Sequence, residues 1–466
     1  MNTIVPLFDV GEIVSRPGRQ VAAVVPTATD DEVTGVAGVV LWGPLLDRLN
    51  VVDVADRRGL RPIRSGGYSG GECYRALVEV LLAGGDVLSD RSLLDGVTQR
   101  LRGDHRLASH TTLWRFCADA DLGRAQKAAA VNRTLLGRAW AMGAGPSGGR
   151  VTIDPDATLV DTYGPGKQGS TFTYRGEIGM SPLIGVCGET GDVLAVRARG
   201  GNAHPGRALA GFIRECAAAI PAPVRAASQV WVRIDSAGYQ HDVFTTVEDL
   251  GGVFTVSAPQ RSNVRAAIVA LAADPFMVWM PALQAETERG SLIAETTIEI
   301  GRTKRERRRL RLIVRRQPTR AGDQLCLDDL DGWRFCALVT NIGPDVDPEV
   351  IEAHHRLRGG IPEDTIRKLK EDFGFNHAPL ANFYGNWLWW HACALAHNTT
   401  RWLETLALPP EFRRCRGKRL RLAFFNVAAR VVSHARQLWL RLPRSHAWAA
   451  AFIEVLTRVR ALPAYA

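Results

Sequence analysis

Between Val151 and Ser257 the sequence breaks into segments whose order restricts the fold more than any other stretch. Val151–Val160, Ile178–Cys187 and Val193–Arg199 carry the apolar, β-branched runs of strands, and Gly188–Gly191 turns the chain between the last two. Pro205–Ile220 has helical periodicity and stops at Pro221. Val230–Asp235 is a short apolar strand, Gln240–Leu250 a helix ended by Gly251-Gly252, and Val253–Ser257 one more strand. The prediction is an α/β unit of three strands, a helix, a strand, a helix and a strand.

That succession is the order of a ribonuclease-H-like core, and the flanking sequence is of other kinds. Asp30–Trp140 reads as helices, with apolar residues at helical spacing in Cys73–Leu82 and Leu113–Met142. Ala108–Cys117 resembles the entry to a recognition helix capped by Ser109; an ordinary capped helix sending Leu113, Trp114 and Phe116 into the core reads equally from these residues. Gly143–Arg150, rich in Gly, Pro and Ser, marks a linker. After Gln260, the alternation in Ala294–Ile300, Arg309–Val314 and Trp333–Val339 suggests β-structure. Arg302–Arg316 is dense in arginine. With Leu310, Leu312 and Val314 on one face, its arginines would lie on the other, against water or nucleic acid. Helical character returns at Pro362. The expected organisation is a helical DNA-binding domain over residues 1–142, the first part of the core over 151–259, and a β-rich insertion over 260–341. The second part of the core follows over 342–400, and a basic helical region over 401–466.

With 466 residues, 46% hydrophobic and 23% charged, the chain can bury a large core and is not disordered. No apolar stretch reaches the length of a spanning helix; Trp387–Ala396 is short and interrupted by His391. Met1–Val14 carries Asp9 and Glu12 where a secretory signal needs positive charge, so a cytoplasmic protein with no membrane partner is expected. The eight cysteines form no Cys-x-x-Cys pair and read as buried thiols. The net charge is +10 and the pI about 9.5. From Arg401 onward, thirteen basic residues face only Glu404, Glu411 and Glu454, so this segment alone equals the surplus of the whole chain. Arginine binds phosphate bidentately and stacks on bases, which points to a polyanionic partner.

Three carboxylate groups fall where such a core could use them. The first strand holds Asp154-Pro-Asp156-Ala-Thr158, the fourth ends at Asp235, and a later helix opens with Pro362-Glu363-Asp364. Phosphoryl transfer between nucleic-acid strands uses two divalent cations roughly 3.5–4 Å apart, bound by hard oxygen ligands. Asp156, Asp235 and Glu363 form a coherent set for two Mg²⁺ ions, with Mn²⁺ able to substitute and Asp154 the alternative first acid. Taken singly, each could be a strand-end acid, a cap or a charge favourable at a helix N-terminus. Glu363 and Lys370 stand two helical turns apart on one face, so a carboxylate and an ammonium could grip a phosphate together. Arg358 could fork onto another.

These residues resemble a bacterial insertion-sequence transposase of the DDE class, and within that class the insertion-sequence family numbered thirteen-eighty, related to the group numbered four. The resemblance runs from about Ser65 to Trp402. It is carried by Ser69-Gly-Gly-Glu72, Leu81-Leu-Ala-Gly-Gly85 with Asp90, Asp156-Ala-Thr158, Asp235-Ser-Ala-Gly238, Thr340-Asn341 and Lys370-Glu-Asp-Phe-Gly374. The group's Tyr-x2-Arg-x3-Glu-x6-Lys signature is met by His355, Arg358, Glu363 and Lys370. Here His replaces Tyr, and four residues separate Arg358 from Glu363. The extra residue falls in the Gly359–Pro362 loop, where it is easily absorbed. The resemblance implies cut-and-paste transposition: Asp156, Asp235 and Glu363 hold the metals, and His355, Arg358 and Lys370 contact DNA. The partners would be the terminal inverted repeats and the target duplex, bound by a homodimer in the synaptic complex of a nucleoid-associated enzyme. Trp279 or Trp333 in the insertion would stack on a flipped base. The alternative is a catalytically inactive, sequence-specific DNA-binding protein derived from such an enzyme.

Overall fold

In the computed structural model, the described residues are 32–60, 66–163, 166–283, 290–301, 303–304, 306–319 and 332–465. Met1–Val14, Ser65, Arg302 and Cys326 lie outside them. Arg150–Ala157 (β1), Leu183–Cys187 (β2) and Val193–Arg197 (β3) form an antiparallel meander. Gln229–Ile234 (β4) lies parallel to β1 on its other side, and Val253–Ser257 (β5) parallel to β4. Helix Leu209–Ala219 carries the chain from β3 to β4, and helix His241–Asp249 from β4 to β5. This is the predicted order, with boundaries moved by a few residues. The second predicted strand divides, and Ile178–Met180 joins a separate small sheet with Val160–Asp161 and Thr171–Phe172.

Met280–Pro281 (β6), Leu292–Ile300 (β7), Arg308–Pro318 (β8) and Trp333–Thr340 (β9) supply the β-rich insertion. β9 pairs antiparallel with β5, so the insertion prolongs the core sheet to nine strands in the order β6-β7-β8-β9-β5-β4-β1-β2-β3. Thr340 and Asn341 fasten that junction. The Thr340 hydroxyl donates to the Phe254 carbonyl at 2.7 Å, and Asn341 Oδ1 accepts from the Phe254 amide at 2.8 Å. A helix not foreseen, Ser262–Ala273, opens the insertion and buries Val264, Ile268 and Leu271, one face at helical spacing. The arginines of β8 go largely to internal carboxylates: Arg308 pairs with Glu248 at 2.8 Å, Arg311 with Glu295 at 2.6 Å and Arg315 with Glu352 at 3.6 Å.

The helix Phe383–Leu406 is the spine of the other half. It buries Trp389, Trp390 and Trp402, and helices Val39–Arg48, Gly70–Leu82 and Leu122–Ala139 pack on it. One continuous apolar cluster runs from Val36 to Val459, so the helices before the Gly143–Arg150 linker share their core with the sheet and the C-terminal segment. The Ser69-Gly-Gly-Glu72 phrase is a capping box. Ser69 Oγ accepts from the Glu72 amide at 3.0 Å, and Glu72 Oε2 from the Ser69 amide at 2.7 Å. Its glycines let the helix touch backbone, since a Cβ at Gly71 would lie 2.2 Å from the Val52 carbonyl oxygen. Ser109 caps helix His110–Ala118, whose Leu113 and Phe116 are buried and whose Trp114 is exposed.

The region after Arg401 is not wholly helical. Ala429–His434 and Gln437–Arg441 form a hairpin, and Val33–Thr34 adds a third strand. Ala435 and Arg436 both take left-handed backbone at φ 51° and 62°, the pattern of a tight two-residue turn. β3, one edge of the large sheet, is covered: Asn398 bonds both polar groups of the Val193 backbone at 2.8 and 2.9 Å, and Trp387 Nε1 donates to the Val196 carbonyl at 2.8 Å. The other edge, β6, is two residues long and ends in Pro281.

Candidate active site

β1 and β4 run parallel in a constant register, Arg150 opposite Gln229 through Ile153 opposite Val232. Carried forward, that register sets Asp154 beside Arg233 and Asp156 beside Asp235. The two pairs meet different fates. Asp154 is 1% exposed and receives both arms of Arg233, Nε at 2.7 Å and Nη2 at 2.7 Å. Burial pushes its carboxyl upward while Arg233 pulls it down. Arg233 Nη1 also donates to the His354 carbonyl at 2.7 Å. Asp154, the alternative first acid, is thus occupied in a buried ion pair under the site.

Two residues on, the strand emerges. Arg358 Nη2 stands 3.0 Å from Asp156 Oδ2 and 3.8 Å from Asp235 Oδ2, so both carboxylates converge on one cation. Asp156 Oδ1 accepts from the Ala157 amide at 2.8 Å. Asp235 Oδ1 caps the Ser236–Gly238 turn through the Ala237 amide at 3.0 Å, leaving its other oxygen for the site. Burial raises the Asp156 carboxyl; the charges of Asp235 and Glu363 push the same way, and Arg358 opposes them. Glu363 lies exposed in the first turn of helix Ile361–Asp372, turned back so that a Cβ on Gly359 would be 3.9 Å from its Oε1. The structure therefore brings Asp156, Asp235 and Arg358 together, and Glu363 close enough for its charge to act on Asp156. Among the described residues, no three His, Cys, Asp or Glu side chains stand as one metal-holding group. The donor chemistry still suits a hard divalent cation, because two carboxylate oxygens already share a positive group at the end of neighbouring strands.

Residues 68–464 match the family described as transposase DDE domain, group 1. The chain belongs to the DDE transposases. A synaptic complex of piggyBac transposase with hairpin DNA has 12% identity to it and a TM-score of 0.38, covering 84% of this chain and 81% of that one. A search of curated proteins gave no match.

In this DDE transposase the remaining predicted contacts sit elsewhere. His355 donates or accepts at both ring nitrogens, 2.8 Å from Thr255 Oγ1 and 3.0 Å from Ser257 Oγ, and so ties helix Pro348–Arg356 to β5. Burial, with Arg358 and Arg233 nearby, lowers it to about 3, so it is a neutral internal ring and not a cation facing DNA. Lys370 Nζ donates to the Leu159 carbonyl at 2.8 Å, and burial lowers its pKa. It braces the loop after β1 from the face it shares with Glu363. Arg358 faces the two aspartates. Trp279 and Trp333, one or other of which was expected to stack on a base, both meet the Arg316 guanidinium, at 4.1 and 4.5 Å. Sequence reasoning missed Arg233, which holds Asp154, and His354, whose carbonyl Arg233 meets; the parallel register of β1 and β4 was the available signal for Arg233. No helix of the transposase, among the described residues, is long and apolar enough to cross a membrane.

Proposed function

We propose that the chain catalyses metal-dependent DNA cleavage and strand transfer at the ends of a bacterial insertion sequence of the family numbered thirteen-eighty, by cut-and-paste transposition. The observation that carries this reading is the convergence of Asp156 and Asp235 on one guanidinium at the ends of adjacent parallel strands, with Glu363 in electrostatic range. Asp156, Asp235 and the freely exposed Glu363 would hold a pair of Mg²⁺ ions, replaceable by Mn²⁺, which would supply charge for the attacking and leaving oxygens. The protein's own part is positional. Asp235 is fixed by its turn, Asp156 by the register of β1, and both rest on the Asp154–Arg233 pair beneath them. Arg358 balances the two aspartates and carries the donors to meet a DNA phosphate when it leaves them. The substrates would be the terminal inverted repeats and then target DNA, synapsed by two copies of the chain.

The test is a cleavage assay on a duplex carrying the element's own end. Asp156→Ala, Asp235→Ala and Glu363→Ala should each abolish nicking in Mg²⁺ and in Mn²⁺ while end binding stays near wild type. Nicking at wild-type rate by all three variants overturns the assignment. A wild-type protein that binds ends and never nicks them would leave a DNA-binding descendant of the family.

A further inference from the structure

Beside Asp235 opens a cleft of about 430 Å³ walled by His204, Arg207, Tyr239, Gln240 and Arg261, with Asp235 on its rim. One wall is the loop between β3 and helix Leu209–Ala219, and an unusual group shapes it. Arg199, 7% exposed, lies beneath this loop. Its Nη1 donates to the carbonyls of His204 at 3.1 Å, Pro205 at 3.0 Å and Arg207 at 2.9 Å. Nε and Nη2 reach Ser181 O at 2.8 Å and Ser181 Oγ at 3.2 Å. Among the described residues no carboxylate pairs with it, and burial lowers it to about 10. A buried cation without an acid costs stability, and here it holds the loop's carbonyls inward. The side chains of His204 and Arg207 are left exposed.

The opposite wall is locked to the same loop. Gln240 Nε2 donates to Gly206 O at 3.2 Å and to Ala237 O at 2.5 Å, joining the loop to the turn that Asp235 caps. A Cβ at Gly206 would lie 1.9 Å from Gln240 Nε2, so the two segments touch as closely as backbone allows. Arg261 lies over the Tyr239 ring at 5.4 Å. Neither Arg207 nor Arg261 has an acidic partner among the described residues, unlike Arg308, Arg311 and Arg315 of β8. A second cleft of about 440 Å³ shares Tyr239, Gln240 and Arg261 and continues to Ile300 and Arg308 of the insertion.

We infer that the cleft beside Asp235 is a phosphodiester subsite, in which Arg207 and Arg261 straddle a backbone phosphate of the DNA strand that passes from the acids toward the insertion. The inference rests on the DNA-cleaving reading above. Two unpaired guanidinium groups outweigh the one carboxylate on the rim, which is itself turned to Arg358. Guanidinium forks are the side chains best shaped for a phosphate's oxygens. Arg199 is a positioning residue, because it acts only through the loop.

The test uses the full chain and a fluorescein-labelled mixed-sequence duplex, read by anisotropy across a range of KCl in EDTA so that no cleavage occurs. Each neutralised phosphate contact contributes about 0.9 to the slope of log affinity against log salt. Arg207→Ala and Arg261→Ala should each flatten the slope by about 0.9 and the double variant by about 1.8, with unchanged thermal midpoints. Slopes equal to wild type in the double variant overturn the subsite. The same measurement in an Asp235→Ala background separates the two ideas. There the flattening should persist although chemistry is lost, whereas a wild-type protein with no salt slope at all removes the DNA reading and the subsite together.

Discussion

At the scale of single residues, the two aspartates of Asp154-Pro-Asp156 show how two positions along a strand separate support from chemistry. Asp154 is sealed against Arg233, and removing one member of a buried pair strands the other charge, at a cost of about 3–5 kcal/mol. Asp154→Ala should therefore lower the urea midpoint sharply, while Asp156→Ala, at the partly exposed strand end, should leave it nearly unchanged. Urea unfolding of the two variants side by side checks this. Buried histidines contribute to the response to acid. His354, His391 and His397 are all pushed to about 3, chiefly by burial. Their unfolded value is near 6.5, so the unfolded chain takes up protons that the folded chain refuses. Stability from these groups is complete above pH 6.5 and falls as the pH drops from there toward 3, by about 1.4 kcal/mol per pH unit for each ring. Urea midpoints should be flat above pH 7 and decline below 6.5, and His391→Gln should decline with one proton fewer.

At the scale of elements, apolar runs and turn residues made the core strands and their crossing helices readable, because Gly or Pro stands beside β2, β3 and β5 and each crossing helix buries one face. Ser69-Gly-Gly-Glu72 was visible as a motif, but its meaning was local: the Ser and Glu close a helix end and the glycines admit a neighbouring backbone. Ser69→Ala should cost about 1 kcal/mol as a lost cap. Gly71→Ala should cost more, since its methyl would meet the Val52 carbonyl; thermal melts of the pair give the ranking. The C-terminal hairpin was hidden because its turn uses Ala435-Arg436, non-glycine residues in left-handed backbone, where sequence reading looks for Asn-Gly. Asp156 and Asp235 were legible as acids by their place at the ends of strands, and Glu363 by its place at the start of a helix. Their partners were not: Arg358 to the aspartates, His355 to Thr255 and Ser257, and Lys370 to Leu159 are contacts between segments far apart in sequence, fixed only by packing.

At the scale of the whole molecule, the expected division into a helical N-terminal domain and a separate core meets a single shared interior. The helix Phe383–Leu406 takes the N-terminal helices on its surface and covers β3 with Asn398 and Trp387. Residues 1–142 and 151–466 expressed apart should each be insoluble or molten, and co-expression should restore a cooperative melt; two independently folded fragments would contradict the common interior. The sheet's two margins have opposite designs. One is roofed by the long helix. The other stops after two residues at a proline, which has no amide to offer a newcomer. A nine-stranded surface left open on both sides would invite copy after copy to add on. A proline-ended strand of two residues gives a newcomer little backbone to pair with along β6, and Asn398 and Trp387 occupy the groups it would need along β3, so both outer strands disfavour edge-to-edge addition of copies.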